Sequence, residues 1–387
     1  GLEIPSCDSC DKPALLEQAY SGRILCGQHL AKSIRKKIAK ELRKQLILKK
    51  GQETTIFVAI SGGKDSAVLL HALVDILGVR PDVKIIAGTV DEGIDGYRPP
   101  SLQCAEDLCN TLGVEFITVS YKDLGFEEMD TVAKLIPGMT KNNPGAPGMP
   151  CSYCGVFRRQ GINHLAKKVN ADVMALGHNL DDMAQTVLMN MSNGDLERTL
   201  RLAPHTNTPL EGMAPRIVPL RWVPEREIHA YAIGAGLPIH HDDCPHAPGA
   251  LRQKHRAYLA EMEAANPGTM HGLVHAMDAI RELWSTSENP PASWKSGQAT
   301  ECEECGSPLH PVYYVNRCHG EEQHYIKGEV LHFSKYSPSR LYGLSPVITL
   351  WNNITTLIAM ENYVNSSYTK ARMPKGLLAV QTRNMDS

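Results

Sequence analysis

Residues 55–66 read TIFVAISGGKDS, and this stretch decides the fold. Thr55–Ile60 is a short apolar run, as a parallel strand buried on both faces requires. It passes directly into Ser61-Gly62-Gly63-Lys64-Asp65-Ser66, and a helical pattern follows over Ser66–Leu77. Glycines let a backbone approach a phosphate closely. The start of a helix offers unpaired N–H groups and a partial positive charge. Lys64 adds a full charge, and Ser61 and Ser66 add hydroxyls. The spacing is not that of a GxxxxGK[ST] loop. A bare Gly-Gly turn between strand and helix is the competing reading.

Working outward, strand and helix alternate from residue 55 to about 240. Lys84–Val90 reads as the second strand, Leu102–Leu112 as a helix and Glu115–Ser120 as the third strand. Pro137–Pro150 reads as a Pro/Gly-rich loop before a helix starting near Cys154. Val173–Leu176 reads as the fourth strand, with a helix from Asp182 to about Met191. The pattern predicts an α/β fold with a doubly wound, mostly parallel sheet and ligands at the carboxyl ends of its strands. At such an end stands Thr89-Val90-Asp91-Glu92-Gly93-Ile94, then Gly96-Tyr97-Arg98. Thr89 and Asp91 are placed to meet adenine or ribose, while Asp91 and Glu92 could equally be ordinary surface acids. At another stands Gly177-His178-Asn179-Leu180-Asp181-Asp182. Asp181 and Asp182 could hold Mg²⁺, which takes carboxylates together with phosphate oxygens. Asp182 could instead cap the helix that follows.

The bulk numbers limit the partners. Net charge is −2 over 387 residues, so contact with nucleic acid must come from local patches. One such patch is a predicted amphipathic helix over 31–50, with Ile34, Ile38, Leu42 and Leu46 spaced four apart. Lys32, Arg35, Lys36, Lys37, Lys40, Arg43, Lys44, Lys49 and Lys50 against Glu41 give it a charge of +8, nine less one. A solvated helix face is the plain alternative to a nucleic-acid contact. No run of about 18 apolar residues exists to span a membrane. Cys7 follows Gly1-Leu2-Glu3-Ile4-Pro5 almost at once, so no signal peptide is expected. The eleven cysteines fall largely in CxxC pairs, which reads better as metal binding in a reducing compartment than as disulfides.

Cys151-Ser152-Tyr153-Cys154 lies at a helix start before Arg158 and Arg159, and Cys244 stands far downstream. A helix start and two arginines are expected to lower the thiol pKa values. Chemistry alone leaves a redox pair, a zinc site short of a ligand, an iron–sulfur cluster on three thiolates, or buried packing thiols. Cys104 and Cys109 read as packing residues on the helix after the second strand.

SGGKDS is similar to the pyrophosphate (PP) loop of the N-type ATP pyrophosphatases, an adenine nucleotide alpha hydrolase-like fold. With TVDEGIDGYR, PCSYCGVFRR and GHNLDD in this order, residues 1–260 resemble the tRNA 2-thiouridine synthetase family, the TtuA and cytosolic thiouridylase group. The resemblance implies a cytoplasmic, ATP-dependent tRNA sulfurtransferase. ATP·Mg²⁺ would sit on Ser61, Gly62, Gly63, Lys64, Asp65 and Ser66, with Thr89, Asp91, Gly177, His178 and Asp181 around it. It implies a [4Fe–4S] cluster on Cys151, Cys154 and Cys244 with one iron left open; a second reading of the family makes cysteines persulfide and disulfide carriers. Asp182 matches an acidic residue proposed for catalysis, and Arg158 stands where some members have a lysine. The sulfur donor would be a ubiquitin-like protein thiocarboxylate or sulfide, and a homodimer is allowed. PCSYCGVFRRQ looks more like the wobble-uridine group than the T-loop group. The alternatives are a 2-thiocytidine synthetase, an amide-forming ATP pyrophosphatase and a non-catalytic zinc-finger RNA-binding protein. The last two leave the three cysteines, or SGGKDS and GHNLDD, without a role.

The two ends carry Cys-rich modules. Cys7-x2-Cys10 and Cys26-x2-His29 form a closed Cys₃His zinc set. Cys302-x2-Cys305 and Cys318 suggest a second zinc site, with His310, His319 or His324 as fourth ligand. The expected units are therefore a finger (1–31), a basic helix (32–54), the PP-loop and thiolation domain (55–284), a linker with the second knuckle (285–330) and a segment without motif (331–387).

Overall fold

The computed structural model describes residues 4–48, 51–142, 146–205, 213–247, 251–286, 313–318 and 321–326. A hairpin pairs β1 (Leu16–Gln18) antiparallel to β2 (Arg23–Leu25) and runs into helix α1 (Gly27–Gln45). The four-residue spacing buries Ile34, Ile38 and Leu42, and Leu30 joins them. The helix stops at Gln45, short of Lys50. Leu46-Ile47-Leu48 is an unbroken apolar run without helical period; Leu46 turns extended and Ile47 is exposed. Lys49 and Lys50 lie outside the described residues.

The alternation that follows is β3 (Thr54–Ala59), α2 (Lys64–Leu77), β4 (Val83–Asp91), α3 (Arg98–Leu112), β5 (Glu115–Ser120), α4 (Met129–Asn142), α5 (Pro150–Lys168), β6 (Val173–Ala175) and α6 (Leu180–Ser192). Then come α7 (Leu196–Leu200), β7 (Arg216–Ile217), α8 (Glu225–Gly234), α9 (Leu251–Ala265) and α10 (Thr269–Ser285). The sheet order is β5-β4-β3-β6-β7, and every neighbouring pair is parallel. This is the doubly wound sheet the alternation predicts. Its centre is β3, whose residues alternate between two cores. Ile56, Val58 and Ile60 pack with Leu30, Ile34, Leu69 and Ile228 on one face; Phe57 packs with Tyr121, Met129, Phe157 and Leu165 on the other. A third cluster joins α6 to α9 and α10 through Leu180, Met183, Val187, Leu259, Val274 and Met277. The order reverses between β3 and β6, which opens a crevice at their carboxyl ends.

Two elements depart from the sequence reading. The Pro/Gly segment expected as a loop from Pro137 begins inside α4, which continues through Pro137 to Asn142. Met129, Val132 and Ile136 are buried at helical spacing, and that stripe outweighs the backbone hydrogen bond lost at proline. The fifth strand, β7, is two residues long and too short to leave a periodic signal. No helix among the described residues is long and apolar enough to cross a membrane. Near the C-terminus β8 (Tyr313–Cys318) pairs antiparallel to β9 (Glu321–Ile326). Cys302, Cys305, His310, His319 and the segment after 327 lie outside the described residues, as do the side chains of Cys318 and His324.

Candidate nucleotide and cysteine site

The loop after β3 is shaped by one residue more than by the others. Gly62 takes φ +85°, and a Cβ there would stand 2.0 Å from the backbone oxygen of Ser101. No side chain fits between the loop and α3. The serines of the loop bind one another. Ser66 Oγ accepts from the Ser61 N–H (3.1 Å) and donates to the Gly63 carbonyl (3.0 Å), and the two hydroxyl oxygens are 3.2 Å apart. Gly63 precedes the first turn of α2 in extended conformation, so the N–H groups of that turn face the crevice.

Across the order reversal the loop after β6 also approaches the start of α2. A Cβ on Gly177 would stand 3.2 Å from the Ser66 nitrogen. Asn179 caps α6, accepting from the Asp182 N–H at 2.9 Å, and Asp182 accepts in return from the Asn179 N–H at 3.4 Å. Asp182 thus fills the third helical position of a capping box, alongside whatever chemistry it performs. The same Asn179 donates to Asp65 at 2.8 Å and ties α6 to α2. Asp181 accepts from the Glu225 N–H at the start of α8 (2.7 Å). Lys64 pairs with Glu225 at 2.7 Å and Asp65 at 3.1 Å, and Arg256 also pairs with Glu225. Burial pushes the carboxyls of Asp65 and Asp181 up. Burial opposes ionisation of Glu225 too, but Lys64 and Arg256 hold it below the usual range. Acids with strained ionisation beside a phosphate-type loop suit a divalent cation. A cavity of about 620 Å³ adjoins this cluster, lined by Tyr20, Lys64, Asp181, Glu225, Arg256 and Met270, among others.

The cysteines lie on the other side of the loop. Cys151 and Cys154 occupy the first turn of α5, and Cys244 lies on the segment after α8. Burial and the neighbouring Cys154 push the Cys151 thiol up, and burial with both neighbours does the same to Cys244. At Cys151 this reverses the expected lowering. Arg159 stands with Arg198 and Arg216 instead, so only Arg158 reaches a thiol, donating to Cys154 Sγ at 3.4 Å. The Tyr121 hydroxyl contacts the same sulfur at 3.4 Å, and Cys151 Sγ lies 3.6 Å from the His246 carbonyl. The three thiols do not gather within 4.8 Å of one another as ligands of a single ion would. Cys109 is fully buried, its thiol pushed up to about 12 by burial, and packs as expected; Cys104 is half-buried. None of the eight described cysteines forms a disulfide.

One acid and one base that the sequence reading leaves out of the site, Glu92 and Arg98, join its two halves. Glu92, for which a surface acid is the alternative reading, is only 4 % exposed. It pairs with Arg98 at 2.6 Å and Arg158 at 2.9 Å. Arg98 donates to the Ser61 carbonyl at 2.9 Å and to the Val90 carbonyl at 2.6 Å, and it occupies the Thr89 hydroxyl. Asp91 accepts from the Gly93 N–H at 3.0 Å.

No family model matches the chain. It is 35% identical over 314 residues to the "tRNA 2-thiolation protein NcsA" of Haloferax volcanii, across 78% of this chain and 94% of that protein. The chain belongs to the tRNA 2-thiolation protein family. It is 34% identical to the "Cytoplasmic tRNA 2-thiolation protein 1" of Danio rerio over 278 residues, 71% of this chain and 78% of the relative. The solved "U34-tRNA thiolase NcsA" of Methanococcus maripaludis, "with its [4Fe-4S] cluster", superposes with a TM-score of 0.62 at 31% identity, over 73% of this chain and 89% of that one.

The tRNA 2-thiolation fold carries one further donor set here. Cys7, Cys10, Cys26 and His29 bring their ligand atoms within 4.8 Å of one another. Sulfur to Nδ1 distances are 3.3–3.4 Å, and Cys10 to Cys26 is 3.7 Å. These edges are those of a tetrahedron that could close around one metal ion. The finger docks on α8: Tyr20 donates to Glu227 at 2.6 Å, Lys37 pairs with the same acid at 3.0 Å, and Arg226 donates to the Glu17 carbonyl at 2.6 Å. Glu227 is fully buried. Of the basic residues on α1, Arg35, Lys37 and Lys44 engage Asp75, Glu227 and Glu41, while Lys32, Lys36, Lys40 and Arg43 are exposed.

Proposed function

We infer that this chain replaces the 2-oxygen of the wobble uridine of tRNA with sulfur, in the cytoplasm, after activating that oxygen with ATP. What supports the reading is the chain of contacts from Ser61 in the phosphate-type loop through Arg98, Glu92 and Arg158 to Cys154. The likeness to a thiolase acting on uridine 34 favours the wobble position over the T-loop.

ATP lies with its outer phosphates along Ser61–Ser66, under the first-turn N–H groups of α2. Asp65 and Asp181 would hold the Mg²⁺ that neutralises the phosphates, and Glu225 keeps Lys64 in reach. The uridine oxygen attacks the α-phosphorus and pyrophosphate leaves, and the sulfur nucleophile then takes carbon 2 and releases AMP. Asp182 borders the reacting base, and Arg158 neutralises charge at the cysteines. Cys151, Cys154 and Cys244 would hold the three-thiolate side of a [4Fe–4S] cluster, which would supply the place where sulfur is carried. Sulfide or a ubiquitin-like protein thiocarboxylate supplies that sulfur. Lys32, Lys36, Lys40 and Arg43 contact the tRNA backbone, and the base reaches the crevice unstacked.

The test is reconstitution. Protein purified without oxygen is assayed for iron, sulfide and zinc, then given ATP, sulfide and unmodified tRNA. The expected product is 2-thiouridine at the wobble position by nucleoside mass spectrometry; its absence overturns the reading. The finger holds Zn²⁺ through Cys7, Cys10, Cys26 and His29. Cys26→Ser is therefore expected to lose that zinc and to lower the melting temperature by about 5 °C or more. Full zinc content in the variant would refute the ligand assignment.

A further inference from the structure

The phosphate-type loop and the cysteine site share one buried carboxylate. Glu92 Oε2 meets Arg98 and Glu92 Oε1 meets Arg158, so each oxygen serves a different half of the site. Arg98 is 3 % exposed and grips the Ser61 carbonyl, the first residue of the loop. The Arg158 side chain is 49% exposed and reaches Cys154 Sγ. Two guanidinium groups and one carboxylate leave the network with one net positive charge between two places that receive anions. A second strand of contacts runs beside it. The His240 N–H donates to the Gly62 carbonyl at 2.8 Å, Tyr97 packs its ring edge on His240, and Cys244 follows four residues later.

We propose that Glu92 is a positioning residue that couples nucleotide at the Ser61–Ser66 loop to the state of Cys154. Phosphate oxygens above the loop alter the field at Arg98, which is fixed by backbone carbonyls and cannot move far. Glu92 responds by redistributing its two ion pairs, and Arg158, the half-exposed end, changes its hold on the Cys154 sulfur. In the thiolation reading on which this rests, the link readies the sulfur side only when nucleotide is in place. Buried ion pairs are strongly felt when one partner is removed, so a single carboxylate suffices to carry such a signal.

The measurement uses the full-length protein freed of iron under anaerobic conditions. Alkylation of Cys154 by iodoacetamide is followed by mass spectrometry, with and without a non-hydrolysable ATP analogue and Mg²⁺. Wild type is expected to change its Cys154 alkylation rate about fivefold or more on adding the analogue. In Glu92→Gln and Arg158→Gln that response is expected to shrink below about twofold, while calorimetry shows the analogue still bound. A wild-type response retained in either folded variant overturns the proposal, as does a wild type indifferent to the analogue. Should Glu92→Gln fail to fold, Arg158→Gln decides alone, because its side chain is half in solvent. The assay contains neither tRNA nor sulfur donor. Failure of wild type to thiolate tRNA would therefore sink the activity and leave this coupling standing, and the reverse result would do the opposite.

Discussion

Gly62→Ala is expected to reduce ATP-to-AMP turnover in the presence of tRNA by at least about a hundredfold, with the fold kept. Two costs fall on the same atom. Left-handed backbone at φ +85° costs an L-residue about 1–2 kcal/mol. The added methyl would also stand 2.0 Å from the Ser101 carbonyl oxygen. That oxygen belongs to the backbone of α3, near the turn where Arg98 is already pinned, so it cannot swing aside as a side-chain tip would. The loop must give way, and with it the N–H groups that meet the phosphates. Calorimetric titration with an ATP analogue, beside circular dichroism, separates loss of the loop from loss of the fold. Turnover at the wild-type level would show that the loop geometry is not what binds nucleotide.

Cys244→Ser is expected to do the converse. Serine is nearly the size of cysteine and Cys244 is only half-buried, so stability should stay within about 1 kcal/mol of wild type. Nucleotide affinity should be unchanged, since the loop contact on this segment is the His240 backbone N–H and not the thiol. Iron content and 2-thiouridine formation should fall by more than the roughly 10–100-fold that follows loss of a supporting group around a metal. A colourless Cys244→Ser protein that still thiolates tRNA would remove the cluster and favour persulfide chemistry on the remaining pair.

How much of this was legible in the chain depends on the range of the signal. Strand β3, its loop and α2 are contiguous, and the sequence pattern places them within about two residues. The finger is legible for the same reason, since Cys7, Cys10, Cys26 and His29 carry their chemistry in their spacing. Cys244 was reachable only through family resemblance, because no spacing links it to Cys151 and Cys154. The sequence leaves Glu92 open because a carboxylate at a strand end looks the same whether it faces water or two arginines; only the approach of Arg98 and Arg158 from α3 and α5 decides it. Glu225 and His240 gave no signal at all. Each acts through a partner more than 150 residues away, at Lys64 and at Gly62. The expected drop in thiol pKa failed at Cys151 because burial and the neighbouring Cys154 outweigh Arg158, while Arg159 stands with Arg198 and Arg216.

The docking of the finger on α8 sets an order of events during synthesis. Tyr20 and its buried acceptor Glu227 are 207 residues apart. At translation rates of about 5–20 residues per second, roughly 10–40 s pass between the two leaving the ribosome. The finger and α1 are complete long before the surface that seats them exists. During that interval the hairpin and α1 must hold their own local structure without the partner that later fixes Tyr20 and Lys37. Late arrival of α8 then seats the finger, so the module that folds first is among the later ones to be fixed in place.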